Sequence, residues 1–277
     1  MKDIYAVDGM PTTNGSLIES ADITGPEGTY VQNLRRGGVV VLGKTKTVEF
    51  ALGATGVNEA RGTPWNPWDL ETHRFPGGSS SGSAAATAAG MCAFALGSDT
   101  GGSVRIPAAW NDLVGLKTTI GRVSVEGSVP LCARFDTVGP LCRSVEDAGL
   151  LLALMEGTPS ADLRHADISG RRFGVLKTAA LEEMRDAPLA AFQTAVEKLR
   201  TAGAVIEEIE VQEVSDALAL SGRLIPTEAY AQWRDVIEAN PDAMYHEILG
   251  RFRLGKEHSG AEYLADWNKL EAAREGY

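Results

Sequence analysis

Residues 77–103 read GGSSSGSAAATAAGMCAFALGSDTGGS, and this stretch does more than any other to decide the fold. Within it, the alanine-rich residues 83–90 predict a tightly packed helix, and residues 91–96 predict a buried strand. A glycine loop that carries serines lies on each side of this helix and strand. Glycine permits backbone conformations that other residues resist, and such loops can expose N–H groups to a bound oxyanion. The stretch therefore predicts the local structure that acyl transfer requires.

Outside this stretch, the pattern along the chain predicts an α/β fold. Residues 39–42 (VVVL) are continuously apolar, which predicts a strand buried on both faces at the centre of a sheet. Residues 51–78 have no regular period, and long irregular segments of this kind are usually functional. From residue 214 onward the pattern is mainly helical, with breaks predicted at Pro226 and Pro241. The other predicted elements are a short strand at residues 2–7, helices at 29–36, 144–155 and 188–202, and strands at 172–176 and 204–211.

The composition disfavours several functional classes. The 26 basic and 37 acidic residues give a net charge of -11, which repels phosphate backbones, so no nucleic-acid partner is predicted. No run approaches the roughly 20 apolar residues that a membrane span needs, so no membrane partner is predicted either. The first residues resemble neither a secretory signal nor a transit peptide. The three cysteines form no CxxC pair, and we interpret them as reduced packing residues of a cytoplasmic protein.

A serine nucleophile in these loops needs a neighbouring base, because a hydroxyl keeps its proton near neutral pH. All four histidines lie outside the glycine loops, so a Ser-His-Asp triad is weakly supported. A lysine can serve instead if burial or neighbouring positive charge makes its neutral form accessible near pH 7. Lys44, in the GKT motif at residues 43–45, is the lysine that stands out at a first inspection.

The two glycine loops, continued by residues 95–119 (ALGSDTGGSVRIPAAWNDLVGLKTT), resemble the amidase signature family. Two segments further upstream resemble motifs of the same family. They are KD at residues 2–3, followed by VDGMPTT, and GKT at residues 43–45, followed by EFA. The resemblance is close over residues 2–157 and looser to residue 277. It implies a mixed, largely parallel central β-sheet flanked by helices. It also implies one domain over residues 1–277, with a motif core at 1–157 and a looser α/β and helical part at 158–277.

The resemblance also implies which residues carry the chemistry. Ser103 takes the place of the nucleophile. Ser79, which is preceded by a cis peptide bond, takes the place of the proton relay, and Lys2 takes the place of the base. The oxyanion hole falls on the backbone N–H groups of Thr100, Gly101, Gly102 and Ser103. Support for the loops falls on Ser80, Asp99 and Arg105. No metal ion and no organic cofactor is expected.

The implied function is that of an amidase, a hydrolase of the carbon-nitrogen bond in linear amides, whose partner is a small-molecule amide. A homodimer is a further implied assembly. One alternative is the A subunit of a glutamine-dependent amidotransferase, which releases ammonia for a second protein chain. Another is an inactive remnant, because the chain begins one residue before Lys2 and the family's last elements are not recognised, as in a fragment truncated at both ends. Since chain termini fray, Lys2 is expected to be mobile and the chain a weak or inactive amidase.

Residues 38–45 (GVVVLGKT) also match the phosphate-binding pattern GxxxxGKT literally. The four residues between the glycines themselves predict a strand, whereas a phosphate loop needs flexible backbone there. Nucleotide binding is therefore disfavoured. Lys44 is interpreted as a structural lysine that pairs with Glu49 or with backbone carbonyls.

Overall fold

The structure, a computed structural model, describes residues 1–19, 23–178, 181 and 183–276. Its contacts divide the chain into two compact units. Unit 1 comprises Met1–Ala161 and Ile225–His258, and unit 2 comprises Asp162–Leu224 and Ser259–Tyr277. The single domain expected over residues 1–277 stays a prediction.

Unit 1 contains a three-stranded antiparallel sheet. Its strands are β1 (Ala95–Asp99), β2 (Val114–Gly115) and β3 (Thr137–Cys142), in the order β1-β3-β2. Gly97 of β1 lies opposite Gly139 of β3, and every residue of both strands is buried. The two strands therefore lack the alternation of a sheet that has one face in water, and the polar side chains of Ser98, Asp99 and Thr137 are buried with the apolar ones.

Helices of unit 1 pack around this sheet. The predicted helix at residues 29–36 is confirmed as α1 (Thr29–Arg36), and the alanine-rich helix is α2 (Ser81–Ala88). Ser144 caps α4 by accepting a hydrogen bond from the Asp147 amide, as the sequence predicted. The helices of this unit that lie wholly within it are α1, α2, α3 (Arg105–Trp110), α4 (Val145–Glu156) and α7 (His246–Leu254).

Aromatic side chains anchor the core of unit 1. The rings of Tyr5 and Tyr30 meet edge to face, with centroids 5.4 Å apart. Phe50 contacts Trp233 at 5.1 Å and Phe252 at 5.7 Å between centroids. Tyr5, three residues from Lys2, thus packs on α1, and Phe50 packs on Trp233 and Phe252 within the same hydrophobic cluster.

One predicted strand is wrong, and two others are wrong in part. Residues 39–42 form no strand among the described residues, and Val40 and Leu42 are 77% and 75% exposed. An apolar run is typical of a buried strand, but a strand also needs a neighbouring strand to pair with, and the run itself does not reveal one. Close to this run, Thr45 forms a single parallel bridge with Lys2. Residues 2–7 likewise contribute isolated bridges instead of a strand. The strand predicted at 91–96 begins at Ala95 instead.

Unit 2 contains a β-α-β arrangement. β4 (Arg172–Leu176) pairs in parallel with β5 (Val205–Ile209), and α5 (Asp186–Thr201) connects them. The strand predicted at residues 172–176 and the β-α-β alternation are confirmed. With helices and both kinds of strand pairing, the α/β class is confirmed as well. The largely parallel sheet is not seen among the described residues, because the strands of unit 1 pair antiparallel and parallel pairing is found between β4 and β5.

The C-terminal part of the chain is mainly helical, as predicted. It includes α6 (Gln212–Ala239) and α8 (Gly260–Gly276). The break predicted at Pro226 is wrong, because α6 continues through it. Gly255 packs so closely on the Pro226 carbonyl that a β-carbon there would lie 2.1 Å from its oxygen, and such packing offsets the hydrogen bond that proline removes. The break at Pro241 is confirmed.

In the described part of the chain, no helix is both long and apolar enough to cross a membrane.

Candidate active site

Lys2 lies at the centre of a buried polar cluster. Its side chain is fully buried, and Nζ donates hydrogen bonds of 2.7 Å to Ser79 Oγ and of 2.7 Å to Ser98 Oγ. Its backbone is held as well, because the Lys2 amide donates to the Leu96 carbonyl at 3.1 Å and the residue bridges Thr45. The expectation that Lys2 is mobile is therefore wrong, since backbone pairing and burial fix its position.

Burial also changes the acid-base chemistry of this lysine. It lowers the pKa of Lys2 from 10.5 to about 7, against the opposing charges of Asp136 and Asp99. An amine with that pKa is neutral in a large fraction of molecules at neutral pH. Lys2 thus meets the condition under which a lysine can accept a proton.

This pKa predicts how stability depends on pH. Between a folded pKa of about 7 and an unfolded pKa of 10.5, the unfolded chain binds more protons at Lys2. The free energy of unfolding should therefore rise with pH across this window, by up to about 1.4 kcal/mol per pH unit for one proton. In Lys2→Met this contribution should vanish, whereas Lys198→Met, which removes an exposed lysine, should keep the wild-type slope. Urea unfolding at pH 7.5, 8.5 and 9.5 measures it, and parallel slopes for wild type and Lys2→Met would contradict it.

The first glycine loop positions Ser79, which is fully buried. The Gly78–Ser79 peptide bond is cis, as the resemblance implied. The Ser79 carbonyl accepts hydrogen bonds from the Val48 amide at 3.1 Å and from Thr47 Oγ1 at 2.9 Å. At Gly78 a β-carbon would lie 2.8 Å from the Gly56 amide nitrogen, so only glycine fits there. The loop therefore holds the Ser79 hydroxyl against Lys2.

The second loop is organised by the buried carboxylate of Asp99. It accepts hydrogen bonds from the Gly102 amide at 2.7 Å and the Val104 amide at 3.1 Å, and it pairs with the Arg105 guanidinium at 2.9 Å. Burial raises the pKa of Asp99, but the hydrogen bonds and charge of Arg105 outweigh burial and lower it. The geometry thus gives Asp99 and Arg105 the loop contacts that their predicted role needs.

The predicted oxyanion donors differ in their present partners. The amides of Thr100, Gly101 and Ser103 have no acceptor within hydrogen-bond range in the part of the chain that the structure describes. The Gly102 amide, in contrast, already donates to Asp99. Three of the four amides are therefore free of other acceptors among the described residues, and the oxyanion hole at Thr100, Gly101, Gly102 and Ser103 stays a prediction.

Ser103 is partly exposed at the start of the segment that leads into α3, so a substrate can reach it. Its carbonyl accepts the Ser80 amide at 3.3 Å, and Ser80 Oγ contacts the Ser98 amide and carbonyl at 3.3 Å. Ser80 thereby connects the two loops. The described residues show no hydrogen bond between the hydroxyls of Ser79 and Ser103, and such bonds often form only in the substrate complex.

Two members of the cluster were not found by sequence reasoning. Ser98 shares the Lys2 amine with Ser79, and Asp136 accepts a hydrogen bond from the Thr100 hydroxyl. A serine within a strand that is otherwise buried needs a hydrogen-bond partner, and this was the available signal for Ser98. Asp136 lies in an irregular stretch whose sequence gives no comparable signal.

Lys44 has the structural contacts expected of a lysine outside the chemistry. Its amine pairs with Asp3 at 3.0 Å and donates to the Pro11 carbonyl at 3.2 Å. The contact with a backbone carbonyl is confirmed, but the predicted pairing with Glu49 is wrong. Glu49 is buried and instead accepts hydrogen bonds from Ser16 Oγ and the Tyr245 amide.

Comparisons with known proteins give a family for the chain. A family model described as Amidase matches residues 1–274. The 2-amino-5-chloromuconic acid deaminase of Comamonas testosteroni is 38% identical over 274 residues, which are 95% of this chain and 58% of that protein. The A subunit of the glutamyl-tRNA(Gln) amidotransferase from Syntrophobacter fumaroxidans is 36% identical over 281 residues, which are 95% of this chain and 57% of that protein.

A solved structure shows the same fold. A crystal structure of an amidase superposes with a TM-score of 0.90 at 33% identity, covering 99% of this chain and 61% of that one. The chain thus spans less than two thirds of the length of each of these three proteins.

Proposed function

The chain belongs to the amidase family, as its glycine-loop motifs predicted, and we propose that it hydrolyses the carbon-nitrogen bond of a small-molecule carboxamide through an acyl-enzyme on Ser103. The observation that carries this proposal is the buried 2.7 Å hydrogen bond between Lys2 Nζ and Ser79 Oγ. A base of pKa about 7 in contact with a serine supplies the proton acceptor that a serine nucleophile needs.

In the proposed reaction, neutral Lys2 takes the proton of Ser79 while Ser79 takes the proton of Ser103. The Ser103 oxygen bonds to the carbonyl carbon, and the free amides of the second loop donate to the developing oxyanion. The carbon-nitrogen bond then breaks, and the leaving amine receives the proton back through Ser79. Water attacks the acyl ester by the same relay and releases the carboxylic acid.

A second candidate is the glutamine-hydrolysing component of an amidotransferase. It is favoured by the similarity to the A subunit of the Syntrophobacter fumaroxidans amidotransferase. In this role the amide is glutamine, and the ammonia passes to a partner protein. Ammonia release from free glutamine, with little from other amides, and copurification of a second protein chain would favour this candidate. A cytoplasmic location and a homodimer stay predictions from the sequence.

The test of the proposal is covalent labelling together with substrate screening. A fluorophosphonate should add once to the folded protein, and peptide mapping by mass spectrometry should place the adduct on Ser103. Ammonia release should be detected from a panel of aliphatic, aromatic and amino-acid amides. A chain that unfolds cooperatively on heating yet neither labels at Ser103 nor releases ammonia would contradict the proposal and favour the inactive remnant.

A further inference from the structure

Asp136 is a buried carboxylate that takes no part in the proposed proton transfers. One of its oxygens accepts a hydrogen bond from the Thr100 hydroxyl. The other accepts the Leu131 amide at 2.9 Å and the Cys132 amide at 3.1 Å. Burial raises the pKa of Asp136, whereas the three hydrogen bonds and the charge of Lys2 act in the opposite direction. An ionised carboxylate only accepts hydrogen bonds, so the three donors around Asp136 match the charged form.

Through Thr100, Asp136 reaches the loop that carries the nucleophile. Asp99 holds this loop at Gly102 and Val104, whereas Asp136 holds it at Thr100. Two buried carboxylates therefore fix different residues of one short segment. Because the Thr100 amide is one of the predicted oxyanion donors, the bond to Asp136 also fixes the position of that donor.

The register of the sheet places Asp136 close to the Lys2 amine. Ser98, whose hydroxyl accepts a hydrogen bond from Lys2 Nζ, lies opposite Val138, two residues beyond Asp136. The negative charges of Asp136 and Asp99 both favour the protonated amine. The Ser79 and Ser98 hydroxyls, which accept hydrogen bonds from the Lys2 amine, are uncharged. Asp99 is already paired with the Arg105 guanidinium, while the hydrogen-bond donors around Asp136 are neutral. Asp136 is therefore the carboxylate whose charge bears most directly on Lys2.

We propose that Asp136 is a positioning residue that serves both halves of the site: it fixes Thr100 in the nucleophile loop, and its negative charge helps to retain the proton on Lys2. The catalytic consequence rests on the proposed amidase function, but the effect on Lys2 does not. Asparagine at this position can keep all three hydrogen bonds, because its amide group donates to the Thr100 oxygen while its carbonyl accepts the two backbone amides. Asp136→Asn thus removes the charge and keeps the shape.

The first measurement follows the lysine side chains by carbon NMR as a function of pH. The Lys2 resonance is identified by its loss in Lys2→Met. In Asp136→Asn the pKa of Lys2 should fall by about 1, because an opposite charge has been removed. Asp147→Asn, which removes an exposed carboxylate at the start of α4, should leave it unchanged. An unchanged pKa of Lys2 in folded Asp136→Asn would overturn the effect of charge, whether or not the chain is active.

The second measurement uses the pH profile of kcat/KM. The rate rises with pH as Lys2 becomes neutral, so this rising limb should move to lower pH in Asp136→Asn by the same amount as the pKa. Thr100→Val removes the Thr100 hydroxyl but keeps the Asp136 carboxylate. The value of kcat should therefore fall about tenfold to a hundredfold, while the rising limb of the pH profile stays at the wild-type pH. Full kcat in Thr100→Val would overturn the positioning of the loop. Absence of turnover in wild type would contradict the proposed function alone, since NMR still tests the charge.

Discussion

Ser103→Ala should abolish turnover and fluorophosphonate labelling. Removal of a serine nucleophile typically lowers kcat by about 10⁴-fold or more, and the remaining groups cannot form the acyl-enzyme. The fold should be retained, because Ser103 contributes its backbone carbonyl to the Ser80 contact and its side chain is partly exposed. The free energy of unfolding should therefore change by less than about 0.5 kcal/mol.

The matched control is Ser81→Ala. Ser81 is the first residue of α2, two residues after the proposed relay, and it is buried. Among the described residues its hydroxyl makes a single long hydrogen bond, of 3.5 Å to the Lys46 carbonyl. This variant should keep both turnover and labelling. The measurements are steady-state ammonia release, intact mass after labelling, and urea unfolding. Full turnover in Ser103→Ala would show that another group is the nucleophile, and loss of activity in both variants would indicate general damage to the loop.

Elements defined by local pattern could be predicted from the sequence. The helix Thr29–Arg36 and the strand Arg172–Leu176 have the predicted bounds, and Ser144 caps its helix as predicted. In each case the signal lies within the element itself, as apolar periodicity or as a capping side chain. The run at residues 39–42 lacked such support, since a strand also needs a partner that local sequence does not reveal.

The residues of the candidate site also fall into those that the sequence could predict and those that it could not. Lys2, Ser79 and Ser103 could be assigned because their motifs resemble those of a known family. Ser98 and Asp136 could not, because their roles depend on contacts across 96 residues to Lys2 and 36 residues to Thr100. The burial of Lys2 was also beyond sequence reasoning. Position 2 suggested a fraying terminus, whereas tertiary hydrogen bonds to Leu96 and Ser79 decide the outcome.

Lys2→Met and Ser79→Ala should each lower kcat by about 10³-fold or more, and the double variant should be no slower than the slower single variant. The two residues form one proton path, joined by the 2.7 Å hydrogen bond, so breaking either link stops the same transfer. The four proteins of this cycle are compared by single-turnover kinetics with one amide substrate. Circular dichroism and urea unfolding verify that each variant is folded.

Lys44→Met separates this path from a general effect of losing a lysine near the N-terminus. Lys44 pairs with Asp3, and both side chains are mostly buried, so its loss leaves a carboxylate poorly compensated. We expect the free energy of unfolding to fall by about 1 to 3 kcal/mol, with kcat of the folded fraction nearly retained. If Lys44→Met removed the chemistry and Lys2→Met did not, Lys44 would be the base. If the losses in Lys2→Met and Ser79→Ala multiplied in the double variant, the two residues would act independently, because a single relay can be broken only once.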